Sequence, residues 1–175
     1  MKTPLTYGLG IALTAFIWTL IEFFLGWHDE KIAIGLLAGK LVYVIIAIGL
    51  WLAIKAVREA STDKALSYGK GVATGCLTSL FAGLGSAVTC FIYTFWINPG
   101  FVDVVIEFRK SKMVEQGLSD ERIARVESII RFMMKPGVQA VGSVFFCLII
   151  GLIMSLIIAA MLKREPAREQ PPTLA

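Results

Sequence analysis

Glu22 and Lys40 are the residues best suited to chemistry, because each is a charge set inside an otherwise apolar run. A charge within a bilayer is costly, so it is kept where it pairs, binds or carries a proton. The two runs are joined by a short turn and must lie antiparallel. At ~1.5 Å per residue, Glu22 sits roughly 7.5 Å and Lys40 roughly 12 Å below the same membrane surface. A lysine snorkels over that difference, so the spacing predicts a Glu22–Lys40 ion pair clamping the first helical hairpin. The other use of such a carboxylate is coupling: a small transporter or channel subunit in which Glu22 takes a proton or a cation, with Lys40 competing for it.

The remaining candidates for chemistry give little. In "LSYGKGVATG", Leu66 to Gly75, a Gly-Lys pair suggests a phosphate loop. The template GxxxxGK[ST] fails twice, since Lys64 stands where the first glycine belongs and Gly71 where the hydroxyl belongs. An apolar helix also precedes it, so Lys70 reads as a membrane-surface anchor and Tyr68 as an interfacial aromatic. The cysteines, Cys76, Cys90 and Cys147, are odd in number, lack CxxC spacing and fall in apolar runs, which argues for packing over disulfides or zinc. The one histidine, His28, lies beside Trp27 and is expected at the interface, without a metal. No His/Ser/Asp set, HExxH motif or Cys/His pair is present, so no enzyme, cofactor or metal site is expected.

What must hold these residues is a membrane bundle. Hydrophobic residues make up 57% of the chain and charged ones 17%, too apolar for a soluble domain. The net charge of +4 does not indicate nucleic acid, because the cations flank apolar runs and are not clustered with exposed aromatics. Crossing a bilayer takes roughly 20 helical residues, and four runs qualify: about 7–27, 32–53, 71–97 and 138–162. The first run is too long and lacks a clear cleavage site for a signal peptide. An even number of spans puts both termini on one side. Lys and Arg are evenly divided between the two sides. Lys55 and Lys70 stand directly at span ends, whereas the first cation after the third span is Arg109, so the positive-inside rule favours cytoplasmic termini.

Small residues recur every fourth position along the third run, at Gly71, Gly75, Ser79, Gly83 and Ala87. The fourth run repeats this at Cys147, Gly151, Ser155 and Ala159, and the second has Gly35 and Gly39. Such stripes predict helix faces that approach closely. Between the third and fourth runs, Asn98 and Pro99 suit the start of an amphipathic helix with Phe101, Val104, Val105 and Phe108 on one face. Gly117 suits its stop. Ser119 suits the cap of a second helix, with Asp120 and Glu121 in its first turn and Ile123, Val126, Ile129, Ile130 and Met133 on one side. Pro136-Gly137 should break the chain before the last span. The two helices are expected to pack together against the membrane interface or the span ends, as a lid or a docking surface.

Three segments carry a family resemblance: "SYGKG" (Ser67 to Gly71), "INPGF" (Ile97 to Phe101) and "SLIIAAMLKRE" (Ser155 to Glu165). In their order and spacing the chain resembles the bacterial domain-of-unknown-function family 4199, departing at Gly100, where an acid is more usual. The resemblance implies a small inner-membrane protein with four spans and a long loop before the last, and no assigned activity.

The expected architecture is therefore an all-α membrane protein: one four-span domain over residues 1–165, an extracytoplasmic helical hairpin at about 99–135, and a polar cytoplasmic tail at 166–175. Its expected partners are the lipid bilayer and a second copy or another membrane protein, with no nucleic acid. Its expected role is structural or partner-binding, with transport through Glu22 as the alternative.

Overall fold

In the computed structural model, which describes residues 2–61 and 63–164, the chain is an all-α membrane protein with four helices long and apolar enough to span a bilayer. The first is α1 (Lys2–Phe24), which starts and ends earlier than the apolar run suggests. The second is a broken span, α2 (Ile32–Ala38) and α3 (Leu41–Glu59), interrupted at Gly39-Lys40. The third is α4 (Tyr68–Ile92), whose last turn widens into a π-helix over Tyr93–Ile97. The fourth is α7 (Pro136–Leu162), and Pro136 occupies its first turn instead of breaking the chain before it. A proline fits there because its missing N–H would have no partner in any case. The proposed tail at 166–175 lies outside the described residues.

The two stripes of small residues face each other in one antiparallel register, and α4–α7 is the most extensive helix contact of the bundle. A Cβ at Gly71 would come 2.8 Å from the Ala159 Cβ, and one at Gly83 would come 2.8 Å from the Val144 Cα and 3.2 Å from the Cys147 Cβ. At Gly75 it would overlap the Ser155 side chain, and at Gly151 the Ser79 side chain. Each glycine thus receives a small side chain from the opposite helix. Lipid removes the hydrophobic drive for helix association, so contact has to come from close packing of this kind. On the α4 side the seam hydroxyls bond within the helix: Thr74 to the Lys70 carbonyl at 2.7 Å, Thr78 to Thr74 at 2.8 Å and Ser79 to Gly75 at 2.9 Å, whereas Ser155 Oγ of α7 is buried without a partner among the described residues. Ala87, at the end of the stripe, is half-buried.

A second close contact was not read from the sequence. A Cβ on Gly8 of α1 would lie 2.6 Å from the Thr78 carbonyl oxygen, and one on Gly85 would lie 2.6 Å from the Ala12 Cβ. The sides of α4 next to the α7 seam therefore receive α1. Gly35 of the second span does not join a helix–helix stripe, because it packs on the backbone of Trp27.

The two ends of the bundle differ. At one end Leu50, Ile54, Leu66, Ile158 and Leu162 form a dry core. Backbone bonds between Leu66 and Arg164, 2.8 and 3.0 Å, tie the α3–α4 loop to the end of α7 there. At the other end lies the hairpin of α5 (Phe101–Glu115) and α6 (Asp120–Met133). Its stop at Gly117 is as the sequence predicts, with φ +71° and a Leu118 N–H to Met113 carbonyl bond of 3.1 Å closing the turn. Its start is not. Gly100 caps α5 in place of Asn98, whose side chain is bonded elsewhere, and the buried residues are Val105 and Ile106. Ser119 stands at the cap of α6 without a side-chain bond to the helix. Asp103 of α5 accepts a bond from Arg131 of α6 at 3.0 Å, joining the two helices.

Leucine at Gly83 should destabilise the protein, because Val144 opposes it with backbone that cannot swing aside. Overpacking of this kind costs about 1–3 kcal/mol or more. Leucine at Gly10, which has nothing within 4 Å of an added Cβ, should be neutral. Thermal melting of the two purified variants in detergent separates them, and equal melting temperatures would contradict the seam. Leu84 of α4, which is exposed, is a control position on the same helix.

Candidate functional site

Glu22 does not pair with Lys40. Its Oε2 lies 3.3 Å from Nε2 of His28, and both side chains are buried. The cause is the end of α1. Gly26 takes a left-handed φ of +72°, and the Trp27 N–H bonds the Glu22 carbonyl at 2.9 Å while the Gly26 N–H bonds the Phe23 carbonyl at 2.9 Å. This glycine stop folds Trp27 and His28 back over the last turn of α1. Lys40 meanwhile sits in the break between α2 and α3, where it is exposed. The backbone keeps right-handed helical angles through Gly39 and Lys40, and it is Gly39 that faces Glu22, where an added Cβ would come 4.0 Å from Oε1. His28, just beyond the end of α1, is 6% exposed.

A chain of polar contacts continues from the imidazole. His28 Nδ1 is bonded to the Tyr93 hydroxyl, and Asn98 Nδ2 donates to the same hydroxyl at 3.1 Å. The π-turn after α4 places these two residues: the Asn98 N–H reaches the Tyr93 carbonyl at 2.8 Å, so a wide turn brings the asparagine back over the tyrosine. The donors assign the protons. Asn98 donates to Tyr93, Tyr93 donates to His28 Nδ1, and the Nε2–H of His28 donates to Glu22. The imidazole in this pattern is neutral, which agrees with burial holding its pKa below the usual 6.5. Phe101 of the hairpin closes over the group, its ring centroid 4.8 Å from His28 and 5.7 Å from Tyr93.

Glu22 also borders a cavity of about 310 Å³ in this end of the bundle. All four spans contribute to its lining: Thr19 from α1, Val42 from α3, Ser86, Thr89 and Cys90 from α4, and Gln139 and Ser143 from α7. Glu22 Oε1 is buried without a hydrogen-bond partner among the described residues. No group of His, Cys, Asp and Glu among the described residues could hold a metal ion. Of the site residues expected from sequence, the small-residue face is assembled and Glu22 is placed in a site, but with His28 in the part expected of Lys40. Tyr93 and Asn98 went unread. The one available signal was a histidine two residues beyond a helix-stopping glycine, on the turn following an intramembrane acid.

A family model for proteins of unknown function, DUF4199, matches residues 6–164. The chain belongs to the DUF4199 family. The match spans α1 through α7, so the cavity and the Glu22–His28–Tyr93 group lie within the DUF4199 region. No curated protein and no solved structure matches the chain.

The contacts predict opposite outcomes for the two basic partners. Lys40→Met should change stability by less than about 0.5 kcal/mol, as for other exposed sites. His28→Ala should cost on the order of 1–3 kcal/mol, because it strips the donor from a buried carboxylate oxygen. Acidification should act in the same direction. A histidine whose pKa is lowered by folding gives stability that is complete above about 6.5 and is lost as pH falls through and below that value. Melting curves of the wild type and the two variants from pH 8 to pH 5 test both points. Proton uptake at Glu22 works the other way and is common to the wild type and His28→Ala, so the reading is their difference: a gap that widens in favour of the wild type on acidification would reverse the assignment of the neutral imidazole.

Proposed function

We propose that this DUF4199 protein is a small-solute binding or transport protein, or a channel subunit, in which Glu22 is the charge that engages the solute or a proton. The observation that carries this reading is the half-satisfied carboxylate. Oε2 is held by His28, while Oε1 is buried without a hydrogen bond, the neighbouring Trp18 N–H going to the Ala38 carbonyl at 3.3 Å, in a side chain that lines a largely apolar cavity. A purely structural clamp would satisfy both oxygens, since an unpartnered buried acceptor costs about 1–3 kcal/mol and a charged one more. A proton or a bound donor at Oε1 relieves that cost. Intramembrane acids with such surroundings are functional sites by default. The hairpin supports the reading as a cover: Phe101 lies over His28 and also borders the cavity.

The membrane and orientation follow as a second part of the proposal. Lys55 and Lys70 near the ends of α3 and α4 favour the cytoplasmic face of an inner membrane for the dry end of the bundle. Both termini then lie inside, and the hairpin and the cavity lie toward the outside.

Dicyclohexylcarbodiimide, a lipid-soluble reagent for protonated carboxyl groups, should label the wild-type protein at Glu22, and Glu22→Gln should remove the label. Peptide mapping by mass spectrometry reads this out. A folded wild type that takes no label at Glu22 would sink the coupling role. Orientation is tested by cysteine labelling in a background without Cys76, Cys90 and Cys147. An impermeant maleimide should reach Gly117→Cys from outside intact cells and Lys64→Cys only after lysis. The reverse pattern would invert the topology.

A further inference from the structure

The groups around the cavity specify more than its one charge. Several of its hydroxyls spend their protons within their own helices. Thr19 donates to the Ala15 carbonyl at 3.1 Å, Thr89 to Ser86 at 3.1 Å, Thr94 to Cys90 at 2.9 Å and Ser143 to Ala140 at 2.9 Å. What each hydroxyl has left to offer is an acceptor lone pair. Glu22 Oε1 adds a further acceptor, and neither lysine nor arginine is among the described lining residues. The one neutral amide donor in the wall is Gln139, whose oxygen accepts from Cys90 at 3.4 Å; with the only formal charge of the described lining on Glu22, the wall favours a cation that also carries a hydroxyl over an anion.

Two features decide which kind of cation. A metal ion takes several oxygen ligands converging on one point, and a single carboxylate among scattered hydroxyls does not supply them. Aromatic rings, in contrast, border the cavity from three different elements: Phe16 of α1, Tyr93 after α4 and Phe101 of α5. Ring faces attract cations that carry their charge on weakly hydrated alkyl groups, and a carboxylate beside them fixes the sign. The volume of about 310 Å³ lies at the small end of ligand sites and admits a methylated ammonium head with a short hydroxylated tail.

We propose that the cavity bounded by Glu22, Phe16, Tyr93 and Phe101 binds an organic ammonium group of the choline type, with the ammonium against the carboxylate and rings and a tail hydroxyl donating to the threonine and serine oxygens. This rests on the proposed role of Glu22 and gives it a ligand class. The neutral His28 leaves the negative charge of Glu22 uncancelled, so the ammonium is the counter-charge. The same head group occurs free in solution and on phospholipids, and the cavity lies at the end of the spans that carries the hairpin, within reach of either source.

The test uses the full-length protein, with choline and tetramethylammonium as probes and dimethylbutanol as the uncharged carbon isostere of choline. In phosphatidylglycerol vesicles, choline and tetramethylammonium should protect Glu22 from dicyclohexylcarbodiimide in a saturable way, and dimethylbutanol should not. Phe101→Leu keeps apolar bulk but removes the ring, and should weaken choline protection on the order of tenfold, the scale of one desolvated cation–π contact. Vesicles of phosphatidylcholine should show protection without added choline if the lipid head group is the ligand. If protection there still requires added choline, the free solute is the ligand. Labelling of Glu22 that neither ammonium compound nor phosphatidylcholine suppresses would overturn the ligand class while leaving the coupling carboxylate in place. Equal protection by dimethylbutanol would overturn the role of charge. Absence of labelling in every vesicle would remove both proposals together.

Discussion

The fold depends on how closely α4 and α7 can approach. In lipid, two apolar helices gain little by touching unless their backbones come near enough for dense van der Waals contact. Here that nearness is reached by alternation across the seam, Gly71 against Ala159, Gly75 against Ser155, Ser79 against Gly151, and Gly83 against Val144 and Cys147. A glycine on either helix makes room for the small side chain of the other, so the register is fixed at every step. Gly8 and Gly85 then attach α1 to α4 with the same kind of contact. The second span is packed less closely by backbone and contributes larger side chains, with Leu50 and Ile54 filling the space left beside the seam.

That packing is unequal along the bundle, and the inequality gives the site its character. Where Leu50, Leu66 and Leu162 meet, the interior is a cluster of apolar side chains. Toward the hairpin, the helices are separated by hydroxyls, an amide and a carboxylate instead. Buried polar groups must find partners inside the protein, because lipid offers none. The chain Asn98–Tyr93–His28–Glu22 meets that demand for all but one oxygen. The irregular backbone that builds it, the left-handed Gly26 and the π-turn at Tyr93–Ile97, stands where the spans end and the hairpin covers them.

The sequence made legible what depends on composition and period. Four apolar runs gave four spans, the four-residue spacing of small residues gave the α4 and α7 faces, and Gly117 gave the hairpin turn. It failed where a few backbone angles decide. Glu22 and Lys40 look like partners by depth alone, but depth does not say which side of the helix a residue takes: Gly39 faces Glu22 and Lys40 is exposed. Asn98 has the right type for a helix cap, but an extra residue in the preceding turn commits its side chain to Tyr93. The α1–α4 contact was hidden for another reason. Gly8 and Ala12 make only one small pair on α1, and Gly85 stands outside the four-residue stripe of α4, so spacing along one helix says little of their meeting.

The position of the hairpin in the chain also bears on how the protein is made. α4 and α7 are each other's main partner, yet the whole of residues 98–135 is synthesised between them. A ribosome therefore delivers α4 to the membrane well before α7 exists. The α4 span is only moderately apolar, with a mean hydropathy of 1.7 against 2.9 for α7, and its glycine–serine face has no occupant during that interval. α1 precedes it in the chain and packs on the adjoining side of α4, through Gly8 and Gly85, a contact available before α7 is made. Chain order and geometry agree: α1 can cover one surface of α4 as soon as both are made, and the other surface stays uncovered until α7 follows.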